Sequence, residues 1–394
     1  MTTGWGEAYK FWVLAVLIGL SALTAWLWPY GFSAFTPIAA MALIPVFRPR
    51  GANLTLIVLL ALCLYALATT AWSPVFSSSG PIEDYADAET QTWGKLPMQL
   101  GLYALLAVLT AGLPVERLRR LKGPFVIGAL LLAVVLLVEG VSGAGIYRTI
   151  REAIGDPIRP DLAEKNVAQA TYALALMYWP ALRILLDQER KRAALLLTAG
   201  VLLPPFLLSA MAPLAALLLS GLVWWFVRAR PKGVALVAGL AAAITLAAPW
   251  VVLLAEPLFQ MAEPHIGASW AARLEIWRFS AEQMLVEPLF GWGIDGSRAF
   301  LPFMLHPHSA PLQLWLELGV VGAVLGAAFW VLLIRRAGQV GGHAVAAASA
   351  YFVVGALSFG VWQEWWLGLA AMTAIWVMIS DARLTPKYDT MIEA

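Results

Sequence analysis

The chain has 394 residues, 61% of them hydrophobic and only 13% charged, with a formal net charge of +2. A soluble domain carries about a quarter charged residues, so one packed core in water is excluded, and the chain reads as an all-α, polytopic membrane protein. The single cysteine, Cys63, lies inside an apolar stretch. It reads as a small buried hydrophobe rather than as part of a disulfide framework or thiolate metal cluster.

A helix needs about 20 apolar residues to cross a hydrocarbon core of about 30 Å. Taken in chain order, apolar runs between charged loops predict spans at 11–28, 33–47, 53–71, 97–112, 124–142, 167–186, 193–208, 211–227, 234–253, 309–334, 343–360 and 364–380, about 12 in all within one integral membrane domain, 1–394. The first is long for a signal-peptide core and has no small-residue cleavage site, so it is expected to be retained. The division near Val201 to Ser220 rests on Pro204, Pro205 and Pro213 and is the least determined step.

Charge orients these spans. With a cytoplasmic N-terminus, 18 of the 26 Lys and Arg fall in inner loops, as the positive-inside rule requires. The other eight are Lys95, Arg148, Arg151, Arg159, Lys165, Arg273, Arg278 and Arg298, all in three outer segments otherwise rich in Asp and Glu. Basic residues held on the outer face are candidates for binding an anion. The outer segments are Trp72 to Leu96, Ser142 to Asn166, and the long loop 255–308 between the ninth and tenth spans. Long loops in a tight membrane protein are where function concentrates. No Walker-type P-loop is present, and neither ATP nor a dinucleotide has an evident site.

Within the long loop, residues 271–287 predict an amphipathic helix with Leu274, Trp277, Ala281 and Leu285 at helical spacing. Arg278 has Glu275 three residues before it and Glu282 four after, which suits a structural salt bridge. Arg273 has no acid one turn away on either side. The turn-rich tract Pro288-Leu289-Phe290-Gly291-Trp292-Gly293 follows, then His306-Pro307-His308-Ser309 at the mouth of the tenth span. Pro311 suits the first turn of that helix. A histidine at a helix N-terminus is kept neutral by the positive end of the dipole and so able to accept a proton; it can equally serve as an interfacial cap. Zinc binding by His306 and His308 has no third ligand in view, and no metal is expected.

Three tracts together resemble the C-terminal signature of the O-antigen ligase and polymerase superfamily. They are Ala272-Arg273-Leu274 with Trp277, then Glu287-Pro288-Leu289-Phe290-Gly291-Trp292-Gly293, then His308-Ser309-Ala310-Pro311-Leu312-Gln313-Leu314-Trp315-Leu316-Glu317-Leu318-Gly319. The resemblance implies a GT-C-like, metal-independent glycosyltransferase of the bacterial inner membrane, without a cofactor. Such enzymes move a glycan from undecaprenyl diphosphate, on the periplasmic face, to lipid A core (a ligase) or to another repeat unit (a polymerase). It implies His308 as the catalytic base and Arg273 as a diphosphate ligand, with His306 and Arg278 in support. Ser309 stands where the family commonly has Asn. A family arginine near the start of the sixth helix, beside an Asn, is matched here by Lys165-Asn166. Lysine lacks the bidentate fork of arginine, so either Lys165 replaces it or Arg159 or Arg148 reaches in.

The chemistry agrees with those residue types. Attack on the anomeric carbon of a lipid diphosphate sugar expels an anion, so the site must supply cationic stabilisation rather than a strong acid. A neutral histidine can take the acceptor hydroxyl's proton, and one such displacement inverts the anomeric carbon. Ligase is the first expectation for this chain, with a lipid A core acceptor, and polymerase the alternative. A lipid or polysaccharide transporter, from another class, predicts ionisable residues lining a path inside the spans. The interior candidates are few, chiefly Glu139 and Glu317 near helix ends, which suit interfacial or capping roles as well.

Overall fold

In the computed structural model of the chain, residues 3–46, 53–77, 92–300 and 303–382 are described. Arg48, Arg50, Arg383 and Lys387, among the basic residues assigned to inner loops, lie outside them, as does 78–91 of the first outer segment. Regular structure among the described residues is entirely helical. The helices are α1 (Thr3–Leu27), α2 (Phe32–Ala42), α3 (Leu54–Ala68), α4 (Pro74–Ser77), α5 (Thr92–Ala111), α6 (Val115–Ser142), α7 (Gly145–Ala153) and α8 (Pro160–Asp187). There follow α9 (Lys191–Leu207), α10 (Met211–Ala229), α11 (Gly233–Leu254), α12 (Glu256–Ala262), α13 (Ala268–Val286), α14 (Ala310–Val340), α15 (Gly342–Leu357) and α16 (Glu364–Asp381).

Seven of these, α1, α3, α5, α6, α10, α11 and α14, are long and apolar enough to cross a bilayer. The chain is therefore an all-α, multi-pass membrane protein. The expected span 33–47 is realised as α2, only 11 residues long and containing Pro37. At 1.5 Å per residue it reaches about half of a hydrocarbon core. The division between α9 and α10 falls at a turn in which Ser209 has φ +56°. Pro204 and Pro205 sit in the last turn of α9 and Pro213 in the first of α10, as far as prolines can be from the middle of a ladder.

The chain forms two compact units. One comprises 1–48, 102–214 and 368–394. Its centre is α8, which packs on α1, α6 and α9 and is buried almost continuously from Ala170 to Met177. Close approach depends on small residues: a Cβ added at Gly200 of α9 would meet Ala133 Cβ of α6 at 2.5 Å. Glu139, wholly buried at the end of α6, accepts from Trp26 Nε1 (2.8 Å) and from the backbone N–H groups of Ile146 (3.1 Å) and Tyr147 (2.9 Å). It is thus a cap for the orphan donors at the start of α7.

The other unit comprises 49–101 and 215–367 and is built around α14, which packs on α3, α11, α13 and α15. α14 is interrupted at Gly319 (φ +62°, ψ −158°). The tract 288–293 straps across that interruption. Trp292 N–H and Gly293 N–H donate to the carbonyls of Leu316 and Glu317, both at 2.8 Å, and Val320 N–H donates to Pro288 O at 2.9 Å. The backbones meet so closely that a Cβ on Gly319 would lie 2.3 Å from Leu289 O, and one on Gly291 2.5 Å from the Glu317 carbonyl carbon. The two signature tracts are therefore the two sides of one backbone joint. Gly291 to Gly296 also has G-x-G-x-x-G spacing, but it follows a helix and is spent on this joint, so it is no dinucleotide fingerprint.

Candidate active site

The long loop contains α12, α13 and a 3-10 turn at Gly296–Phe300 before it reaches α14. The buried face of α13 is Trp277, Ser280, Ala281 and Met284. Leu285, expected on that face, is exposed, because Met284 takes the position one turn beyond Ser280. Trp277 and Ala281 join Val252 and Leu312 in a core cluster that ties α13 to α11 and α14.

At the start of α14, Ser309 is the N-cap in extended conformation and Pro311 lies in the first turn. His308, just before, has φ +53°, a region that costs a non-glycine residue on the order of 1–2 kcal/mol. Two contacts hold it there. Its backbone N–H donates to His306 Nδ1 at 3.1 Å, and its ring Nδ1 lies 3.2 Å from the carbonyl oxygen of Ser358. A carbonyl only accepts, so Nδ1 of His308 carries a hydrogen, and the basic lone pair of the neutral ring is at Nε2. The two imidazoles lie 4.2 Å apart, centroid to centroid, tilted by 53°.

His306 is held neutral. Burial, then the neighbouring His308, Arg298 and Arg273, lower its pKa from the ordinary 6.5 to about 3. Since its Nδ1 accepts from His308, its proton is on Nε2, which faces the side-chain amide of Gln363 at 2.9 Å. The amide orientation that satisfies both groups turns the Gln363 oxygen to the ring. Both ring nitrogens of His306 are thus used within the protein, and no group of three or more His, Cys, Asp or Glu is gathered for a metal among the described residues.

Arg273 is anchored by Nη1, which donates to Ser269 O (3.0 Å) and Ser269 Oγ (2.7 Å), and its guanidinium lies 5.1 Å above the Trp270 ring. Arg298, on the 3-10 turn, has Nε 3.6 Å from Asp295 Oδ1. Arg278 pairs with Glu282 (3.8 Å) as expected and with Glu256 of α12 (3.7 Å), the latter in place of Glu275.

Behind the histidines, Glu317 is wholly buried. It accepts from Ser297 Oγ (2.7 Å), Gln313 Nε2 (2.9 Å) and Trp362 Nε1 (2.7 Å), while Gln313 Oε1 accepts from Val361 N–H (2.8 Å). Gln313 and Glu317, the polar residues of the α14 signature, therefore clamp the turn between α15 and α16. That same turn delivers Ser358 O to His308 and Gln363 to His306. Arg298 was one of the eight outer cations, whereas Ser358 and Gln363 are the site residues that sequence reasoning did not single out.

The remaining expected cations belong to the first unit. Arg148 is exposed on α7. Arg159, the N-cap of α8, is exposed and its fork is filled by Asp161 through Nε (3.0 Å) and Nη2 (2.6 Å), which raises the guanidinium pKa. Lys165 is exposed on α8, and Asn166 Nδ2 donates to Tyr147 OH at 3.4 Å.

Residues 193–327 match the family model described as O-antigen ligase. Curated relatives carry the name polysaccharide ligase. One from Rickettsia felis is 26% identical over 300 residues, covering 70% of each chain. One from Rickettsia conorii is 29% identical over 249 residues, 56% of this chain and 58% of its own. A third, from Rickettsia bellii, is 31% identical over 143 residues, 31% of this chain and 34% of its own. The segment that matches the O-antigen ligase family model, 193–327, is the one that carries Arg273, His306, His308 and the α14 joint.

Proposed function

We propose that the protein is an inverting, metal-independent glycosyltransferase that moves a glycan from undecaprenyl diphosphate to lipid A core, as an O-antigen ligase does. The observation that carries this reading is His308, whose Nδ1 is committed to Ser358 O so that Nε2 is the base. Two residues before it in sequence, His306 feels the charges of Arg298 and Arg273, which help to lower its pKa. A base for the acceptor hydroxyl and guanidinium groups for the departing diphosphate are what the displacement needs. Of the cations on the first unit, Arg159 has its fork filled by Asp161, whereas Lys165 and Arg148 are exposed.

On this reading the chain crosses the inner membrane about 12 times, α2 crossing together with its flanking 3-10 turns Pro29–Gly31 and Ile44–Val46, with both ends cytoplasmic and the loop 255–308 facing the periplasm. The relatives' names favour a ligase over a polymerase. A transporter path through the interior is disfavoured, because Glu139 and Glu317 each accept from three protein donors and are spent on structure. The test is a cell lacking the protein. Loss of long-chain lipopolysaccharide with accumulation of lipid-linked polymer supports the ligase. Accumulation of single repeat units indicates a polymerase, and unchanged lipopolysaccharide refutes both.

A further inference from the structure

We infer that His306 is a positioning residue that acts through His308: with Gln363 behind it, it holds the backbone of His308 in its left-handed conformation and so aims the His308 ring. The inference rests on the proposed role of His308 as base. Three observations carry it. The only backbone N–H of His308 donates to His306 Nδ1 (3.1 Å), at a residue whose φ of +53° disfavours any side chain. The far nitrogen of the same ring is braced at 2.9 Å by Gln363. Gln363 and Ser358 lie on one turn, which Gln313 clamps through Val361 N–H, so both histidines are located from the same piece of backbone.

His306 is poorly suited to be a second base. Its Nδ1 lone pair is taken by His308 N–H, and its Nε2 carries the proton. The charged or titratable groups facing it, His308 on its own loop, Arg298 on the 3-10 turn and Arg273 on α13, all oppose a further positive charge. A neutral ring with one acceptor and one donor at opposite edges can join a backbone amide to a side-chain amide without adding charge beside the base.

Asparagine reproduces this selectively. Its Oδ1 occupies roughly the place of imidazole Nδ1, whereas glutamine reaches the place of Nε2 and leaves the His308 amide without its acceptor. Purified full-length protein is assayed in lipid nanodiscs with a lipid diphosphate-linked glycan and lipid A core. His306→Ala and His306→Gln are expected to lower kcat about 10- to 100-fold, the scale of a misplaced reactive group, with KM for the donor within about twofold. His306→Asn is expected to recover kcat to within about fivefold of wild type. Gln363→Leu is expected to fall between, and it carries the test together with His306→Asn if the alanine variant does not fold.

Equal loss in His306→Asn and His306→Ala overturns the inference, as does a loss confined to KM, or full activity in His306→Ala. The His308→Ala arm separates this from the functional reading. If His308→Ala retains transfer, the base assignment itself fails. If His308→Ala is inactive while His306→Ala equals wild type, only the positioning role fails.

Discussion

The ring Nδ1 of His308 stands 3.2 Å from the carbonyl oxygen of Ser358, 50 residues away in sequence. Because the partner can only accept, the contact selects the tautomer with its lone pair at Nε2, without another ionisable group to do so. His308→Asn keeps an N–H donor near the Ser358 carbonyl and removes the base. It is expected to lower glycan transfer by about 10²- to 10⁴-fold while the protein is still extracted from the membrane as a monodisperse species. Transfer within tenfold of wild type in that folded variant would refute the base assignment.

Arg273 and Arg278 share a helix and differ in partners. Arg278 is engaged by two carboxylates, Glu256 and Glu282, in half-exposed pairs, an arrangement worth at most about 1 kcal/mol. Arg273 is oriented by Ser269 and Trp270, and its charge is felt at His306. Arg273→Ala is expected to lower transfer by about 10²- to 10³-fold, the scale of one lost electrostatic contact in a transition state, and Arg278→Ala by less than about fivefold. Comparing the two kcat/KM values checks this; the reverse order would remove Arg273 from the diphosphate site.

Much of this architecture was legible because lipid imposes simple rules. Runs of apolar residues bounded by charge located the helices, and the prolines at 204, 205 and 213 marked a real division. The site was legible in part, through the motif. What could not be read was whatever depends on the chain folding back. Ser358 contributes a backbone carbonyl, which every residue possesses, and Gln363 lies in an unremarked turn. Glu317 read as a residue near a helix end because two of its partners, Ser297 and Trp362, come from segments 20 and 45 residues away that no local pattern shows. Arg159 with Asp161 two residues on was a local pair that the charge count passed over.

The joint between the two signature tracts makes a stability prediction. Gly319→Ala places a Cβ 2.3 Å from Leu289 O at a residue with φ +62°, and neither backbone can yield without breaking the three strap hydrogen bonds. A loss of about 3 kcal/mol or more is expected, read as a lower unfolding midpoint or lost yield in detergent. Gly239→Ala on α11, where a Cβ meets nothing within 4 Å, is the matched control and is expected to be neutral or stabilising by up to about 1 kcal/mol. Equal behaviour of the two variants would mean that the strap does not form.

Removing Glu317 orphans two buried donors at once, on Gln313 and Trp362, and leaves the Ser297 hydroxyl only its longer contact to Leu305 O at 3.2 Å. Each unsatisfied buried group costs about 1–3 kcal/mol. Glu317→Ala is therefore expected to destabilise the unit more than Glu364→Ala, which removes a partly exposed partner of Lys95. The comparison of thermal midpoints in one detergent checks this, and a smaller shift for Glu317→Ala would contradict the clamp.

His306 also fixes the sign of a pH dependence. Its folded pKa, about 3, is below the ordinary value of 6.5 because of burial and the three neighbouring cationic or titratable side chains. The unfolded chain therefore binds a proton that the native chain refuses, and stability falls as pH drops below about 6.5, by up to about 1.4 kcal/mol per pH unit, until the folded pKa is reached. The useful window is pH 5 to 6.5, above the range where ordinary carboxylates titrate. Wild type is expected to lose stability across that window, and His306→Asn, which has nothing to protonate there, to show a shallower slope by up to one proton. Unfolding midpoints of the two proteins at pH 7.5, 6.5, 5.8 and 5.0 measure the difference, and parallel curves would mean that His306 is protonated in the folded protein as readily as in the unfolded one.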